Sequence, residues 1–201
     1  MGKMNRKFGL KLQKVKLEAL DDRILLLNLY LTQGIALLIA FVIIWLQPSQ
    51  TLLQLVQLPA DWKPIWWGAG LAAAVLAADF LIEKFAPKHW LDDGGINERL
   101  FQRRPLWHIF IICLTVAAAE ELLFRGAVQH QLGLIWTSVI FAAVHIRYLR
   151  QWLMTAAVFG ISCGLGWIYI KAGSLWAPVT AHFLIDFILG CVIKYRRESK
   201  T

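Results

Sequence analysis

Two stretches of this chain contain no Asp, Glu, Lys, Arg or His: Ile24 to Leu46 and Trp152 to Ile170. A hydrocarbon core about 30 Å thick is crossed by about 20 apolar residues in helical form, and both runs have that length. A helix at the surface of a water-soluble domain keeps a polar face, so runs that are apolar all round exclude most soluble folds. Four further blocks are largely apolar with a few polar residues: Pro64 to Ile82, Leu106 to about Gln131, Leu134 to about Leu149, and Leu175 to Ile193. The expected fold is all-α, a polytopic transmembrane helical bundle of about six spans, the block from Leu134 being the shortest. Thr51 to Leu58 is apolar but too short to span and is expected at the membrane interface. The first apolar run starts late, behind a basic amphipathic tail, unlike a signal peptide. The first span is therefore expected to stay in the mature protein.

The net charge of +8 raises the question of nucleic acid, and its distribution answers it. With a cytoplasmic N-terminus and six alternating spans, all of the 21 basic residues except Lys63, Arg125 and Lys171 fall on the inner side. That is the positive-inside bias of membrane proteins, so both termini are expected in the cytoplasm. The basic tail suits anionic lipid headgroups, and no nucleic-acid partner is expected. The lipid bilayer is the expected partner. Cys113, Cys163 and Cys191 are scattered through apolar spans without disulfide or metal-ligand spacing; they read as small packing residues.

The chain divides unequally. Residues 1–23 form the basic tail, 24–87 two accessory spans, 88–104 a polar loop with a Gly-Gly break, 105–194 a core of four helices, and 195–201 a second basic tail. Gly160 and Gly164, with Gly166 just beyond, suit close helix packing, so that span reads as an interior packing helix.

An ionisable side chain at the bilayer centre costs about 2.5–3.5 kcal/mol on insertion scales, and such groups usually mark function. Three clusters stand out, all in the core. In Glu120-Glu121-Leu122-Leu123-Phe124-Arg125 the adjacent glutamates point about 100° apart. Glu121 and Arg125 are spaced i,i+4 with the acid first, the favourable order for an ion pair. Glu120 is left without a local partner. The second cluster, Phe141-Ala142-Ala143-Val144-His145, holds one imidazole. The third, His182-Phe183-Leu184-Ile185-Asp186, puts His and Asp on one helix face, where a carboxylate can orient an imidazole. Two free carboxylates, two imidazoles and a paired arginine on four consecutive helices suit activation of a water molecule for hydrolysis. One difficulty is depth. Measured from Pro105 and from Gly133 at 1.5 Å per residue, with the two helices antiparallel in a core about 30 Å thick, Glu120 and His145 miss each other by about 10 Å; a tilted third helix continuing through Arg125 to Gln131 would reduce this.

In this order, E-E-x-x-x-R, F-x-x-x-H and H-x-x-x-(N/D) on consecutive apolar spans resemble the CPBP family of CAAX prenyl endopeptidases and Abi-type bacteriocin-processing proteases, over roughly residues 105 to 194. The resemblance implies an all-helical intramembrane endopeptidase with a membrane-associated peptide or protein as its substrate partner. It implies that Glu120 activates water with help from His145, and that His182 and Asp186 bind metal or stabilise the oxyanion. Glu121 and Arg125 are the supporting pair, with Phe141 the aromatic of the second motif. Both a metalloprotease, with one divalent ion such as zinc or manganese on Glu120, His145, His182 and Asp186, and a metal-free glutamate protease fit the family. Asp186 stands where prenyl endopeptidases resemble one another in having Asn. An ionised Asp cannot donate to an oxyanion, so it must be protonated, orient His182 or hold a cation. Two other functions use a similar pocket: a non-enzymatic immunity or scaffold protein that binds peptide, and a small proton-coupled transporter.

Overall fold

A computed structural model describes residues 21–47, 49–87, 90–91, 95–149 and 151–198. The basic N-terminal tail, Thr201 and much of the Gly-Gly segment lie outside the described residues. Eight α-helices follow one another: α1 Asp22–Leu46, α2 Leu52–Val56, α3 Lys63–Phe85, α4 Ile96–Phe101, α5 Leu106–Glu121, α6 Gln129–Val144, α7 Trp152–Ala172 and α8 Trp176–Glu198. A π-helical segment, Leu122–Val128, joins α5 to α6, and a short 3-10 turn, Ile146–Tyr148, follows α6. There is no strand among the described residues.

Among the described residues five helical stretches are long and apolar enough to cross a membrane, one of them the 39-residue run Leu106–Val144. The predicted third and fourth spans are thus one helical unit, broken at Gly133. Gly133 has φ 73° and ψ 174°, a combination essentially confined to glycine. The chain reverses there. Phe124 and Phe141 are 17 positions apart, about 25 Å in a straight helix, yet their ring centroids are 4.8 Å apart. The helix runs on past Glu120 through the π segment to this turn, and that continuation removes the depth difficulty. Glu120 precedes Gly133 by 13 residues and His145 follows it by 12, so the two residues climb similar distances from the same turn.

The bundle packs with α8 between α3 and α5, and with α7 against α6 and α8. The α3–α8 approach is close because Gly68 has no side chain: a Cβ there would lie 2.5 Å from the Ala177 carbonyl oxygen. Small residues at crossing points do this in lipid, where dispersion contacts rather than water exclusion hold helices together. Of the α7 glycines, Gly164 and Gly166 pack tightly, whereas Gly160 faces open space. α1 leans on α5 and the π segment, so an accessory span touches the core directly. Trp45, Trp62, Trp66, Trp107 and Trp152 point outward, as interface anchors do.

Two short elements modify the expected connections. α2 is closed by a capping box between Thr51 and Gln54, which satisfies two backbone donors at its start. It buries Leu55 and leaves Leu53 exposed, in keeping with an interfacial position. The segment read as a polar loop contains α4, an amphipathic turn that buries Leu100 and Phe101 beside Ile109. Arg99 on α4 bonds Asp22 at 2.9 Å, tying it to the start of α1.

Candidate active site

Arg125 is the centre of the buried polar structure. It and Glu121 are both fully buried and joined at 2.9 Å. Its other nitrogens donate to Gln129 Oε1 at 3.3 Å and to Ser162 Oγ at 2.9 Å on α7. The Phe141 ring lies 5.5 Å from the guanidinium, within cation–π range. Gln129 in turn donates to the Gly166 carbonyl at 3.1 Å. Gly166 is needed for this, because a Cβ would sit 2.5 Å from Gln129 Oε1. The π segment sets the local geometry: the Gln129 amide reaches back to the Phe124 carbonyl, an i→i+5 bond that widens the turn, a feature often found at functional sites.

Glu121 also reaches across to α8, with His182 Nδ1 2.7 Å from its Oε1. On the other side of that ring, Nε2 lies 3.4 Å from Asp186 Oδ2. His182 is therefore flanked by a carboxylate on each nitrogen. The i,i+4 pairing read from sequence is present, and Glu121 is an additional partner. Asp186 is partly open, its side chain 34% exposed.

His145 terminates α6 with non-helical backbone angles. Its Nδ1 is 2.7 Å from the Phe141 carbonyl oxygen. A carbonyl only accepts, so Nδ1 carries the proton and the neutral ring keeps a lone pair on Nε2. Phe141 packs on the His145 ring at 4.6 Å and meets His182 edge-on at 6.3 Å. Tyr148 stacks on the other side of His145 at 6.2 Å and meets Asn97 of α4 at 3.5 Å.

Glu120 faces a different direction from Glu121. It lies within electrostatic reach of His182, His145, Asp186 and Glu121. One of its oxygens, Oε1, accepts from Gln33 Nε2 of α1 at 3.3 Å. The other, Oε2, is buried and has no hydrogen-bond partner among the described residues. A buried polar atom left without a partner costs about 1–3 kcal/mol, and such atoms concentrate where function needs them.

The sequence-predicted residues Glu120, Glu121, Arg125, Phe141, His145, His182 and Asp186 thus come together. The additional participants are Gln33, Gln129, Ser162, Tyr148 and Asn97. Among the described residues no three His, Cys, Asp or Glu side chains converge in a way that would hold a metal ion. As placed, His182 Nδ1 is held by Glu121, and Nε2 lies 3.4 Å from Asp186 Oδ2. His108 and His130 sit apart, against Tyr30 and Ser49.

The fold and this buried constellation define a class: a membrane-embedded helical bundle with a hydrolase-like polar site. The family model described as type II CAAX prenyl endopeptidase Rce1-like matches residues 102–188, which include every sequence-predicted site residue. The chain is 45% identical over 140 residues to the uncharacterized protein YpbD of Bacillus subtilis (strain 168), covering 70% of this chain and 74% of that one. It is 26% identical over 144 residues to the UPF0177 protein YxdF of Lactococcus lactis subsp. lactis (strain IL1403), covering 67% and 80% respectively. No solved structure matches the chain. The chain belongs to the CPBP family, of the type II CAAX prenyl endopeptidase Rce1-like type. At family level this supports an integral membrane protein and a CAAX-type intramembrane protease.

Proposed function

We propose that the chain is an intramembrane endopeptidase that hydrolyses membrane-associated peptides or proteins with a water activated by Glu120. The observation that carries this reading is the split between two neighbouring carboxylates. Glu121 is consumed by Arg125 and His182, whereas Glu120 keeps a buried oxygen without a partner. Only Glu120 is free to take a proton.

In the proposed reaction a water gives one proton to Glu120 Oε2 while its oxygen bonds to the peptide carbonyl carbon. The carbonyl electron pair moves onto its oxygen, making an oxyanion. A donor from His182 Nε2, whose ring is held at Nδ1 by Glu121, stabilises that charge; placed donors of this kind are usually the largest single contribution to such catalysis. Collapse of the intermediate breaks the C–N bond, and the proton on Glu120 passes to the leaving nitrogen. The products are a carboxylic acid and an amine. Asp186, beside His182 Nε2, orients that ring. No step is routed through a metal, because the side chains do not converge on one.

The test is purified chain in liposomes with a pool of membrane-associated peptides, the products read by mass spectrometry. Defined products that vanish with Glu120→Gln support the proposal. Cleavage that is lost on exhaustive chelation and restored by stoichiometric zinc or manganese would replace it with a metalloprotease. No product from any peptide, beside a cellular phenotype unchanged by Glu120→Gln, would point to an immunity or scaffold role. Both termini are proposed to be cytoplasmic from the basic asymmetry; labelling of a terminal cysteine from outside would overturn that.

A further inference from the structure

Gln33 lies on α1, outside residues 102–188 that match the family model, in a span otherwise free of charge. It is buried, only 8% exposed, in the middle of a helix that is apolar on both sides. Burying an amide in an apolar span is costly unless it is bonded. Its Nε2 donates to Glu120 Oε1 at 3.3 Å. A carboxylate can only accept, which fixes the amide with its nitrogen toward Glu120. Its own oxygen, Oε1, is buried and has no partner among the described residues. Gln33 Oε1 and Glu120 Oε2 are thus two unsatisfied acceptors on side chains that touch each other.

We infer that Gln33 is a positioning residue for the hydrolytic step, holding the Glu120 carboxylate through Nε2 and accepting the second O–H of the attacking water at Oε1. This rests on the reading of Glu120 as the base. A water offers two O–H groups. One must point at Glu120 Oε2 for its proton to transfer, and the other needs an acceptor that does not take its proton. An amide oxygen is such an acceptor. The lone pair then points away from both, toward the carbonyl carbon. By this reasoning the accessory helix is part of the reaction machinery, and a core of residues 105–194 by itself is incomplete.

Two readouts test it on the full chain. The first needs no substrate. Dicyclohexylcarbodiimide is an apolar reagent that adds to buried carboxyl groups as a stable N-acylurea, located by peptide mapping. Gln33→Met keeps the side-chain length and removes the amide, so labelling of Glu120 should become roughly tenfold faster, the factor for losing one hydrogen bond to a charged group. The thermal midpoint in detergent should stay near wild type. The second readout is cleavage of a peptide found as above. Gln33→Met should lower kcat about 10- to 100-fold, the size of effect that misplacing a reacting group produces, with KM within about twofold. Gln33→Asn, with the amide on a shorter arm, should recover part of the rate. Unchanged labelling would overturn the contact, whatever the activity. Faster labelling with unchanged kcat would overturn the water-orienting role. A wild-type chain that cleaves nothing would overturn the reading of Glu120 and this role with it, while the labelling still decides the contact.

Discussion

Glu120 and Glu121 are neighbours in the chain and opposites in surroundings. The Glu121 side is sealed: Arg125, Gln129, Ser162 and His182 form an unbroken set of hydrogen bonds across the α5–π segment, α7 and α8. The Glu120 side is open-ended: one bond to Gln33, one bare oxygen, and nearby imidazoles of which His145 keeps a nitrogen lone pair. One helical step of about 100° separates the two. Two identical side chains thus have different partners because of the direction in which each points, and on the proposed reading different roles. The sealed side holds the geometry, and the unsatisfied side is where chemistry can occur. Buried polar networks of the first kind are costly to leave half-made, which argues that the network is there to fix His182 and the π segment.

Breaking the sealed side should chiefly cost stability. Arg125→Ala leaves the buried Glu121 charge with the His182 ring as its remaining partner, and removing one member of a buried ion pair costs about 3–5 kcal/mol. The expected outcome is a large fall in the thermal midpoint in detergent and poor accumulation in the membrane. A midpoint unchanged from wild type would show that the network is not structural. Gly133→Ala attacks the turn that brings both halves together. An added Cβ meets nothing within 4 Å, so the cost is backbone strain alone, about 1–3 kcal/mol. The midpoint should fall accordingly, and cleavage should fall with it because His145 and Glu120 depend on the same turn. Ser162→Ala removes one hydrogen bond to a charged group, about 1.5–3 kcal/mol. This cost, comparable with that of Gly133→Ala and below that of Arg125→Ala, sharpens the comparison, since Arg125 keeps Glu121 and Gln129. A loss for Ser162→Ala as large as that for Arg125→Ala would mean that the serine, rather than the ion pair, closes the network.

Much of this was legible in the sequence, for definite physical reasons. Apolar runs near 20 residues foretell spanning helices, and i,i+4 spacing foretells Glu121–Arg125 and His182–Asp186, since those contacts are local to a helix. The reversal between the third and fourth apolar blocks follows from alternating spans, but how far the first of them runs as helix before turning was less accessible. The helix continues past Glu120 through the π segment to Gly133, and that continuation brings Glu120 and His145 to similar distances from the turn. Contacts between spans were not accessible at all. Gln33, Gln129 and Ser162 are ordinary polar residues in apolar helices, and only packing shows whom they meet. Their one signal was position: an uncharged polar side chain in the middle of a span needs a partner. α4 was hidden in a polar, glycine-bearing segment because six residues are too few to display a helical period.

The decisive measurement is the cleavage rate of Glu120→Gln beside wild type, on the same peptide in the same liposomes. Gln preserves size and polarity but cannot take a proton from water. General-base catalysis typically contributes about 100- to 10,000-fold. The variant should therefore insert, unfold at the wild-type midpoint and still bind the uncleaved peptide, while its rate drops at least 100-fold. A Glu120→Gln protein that cleaves at the wild-type rate would contradict the assignment of Glu120 as the base.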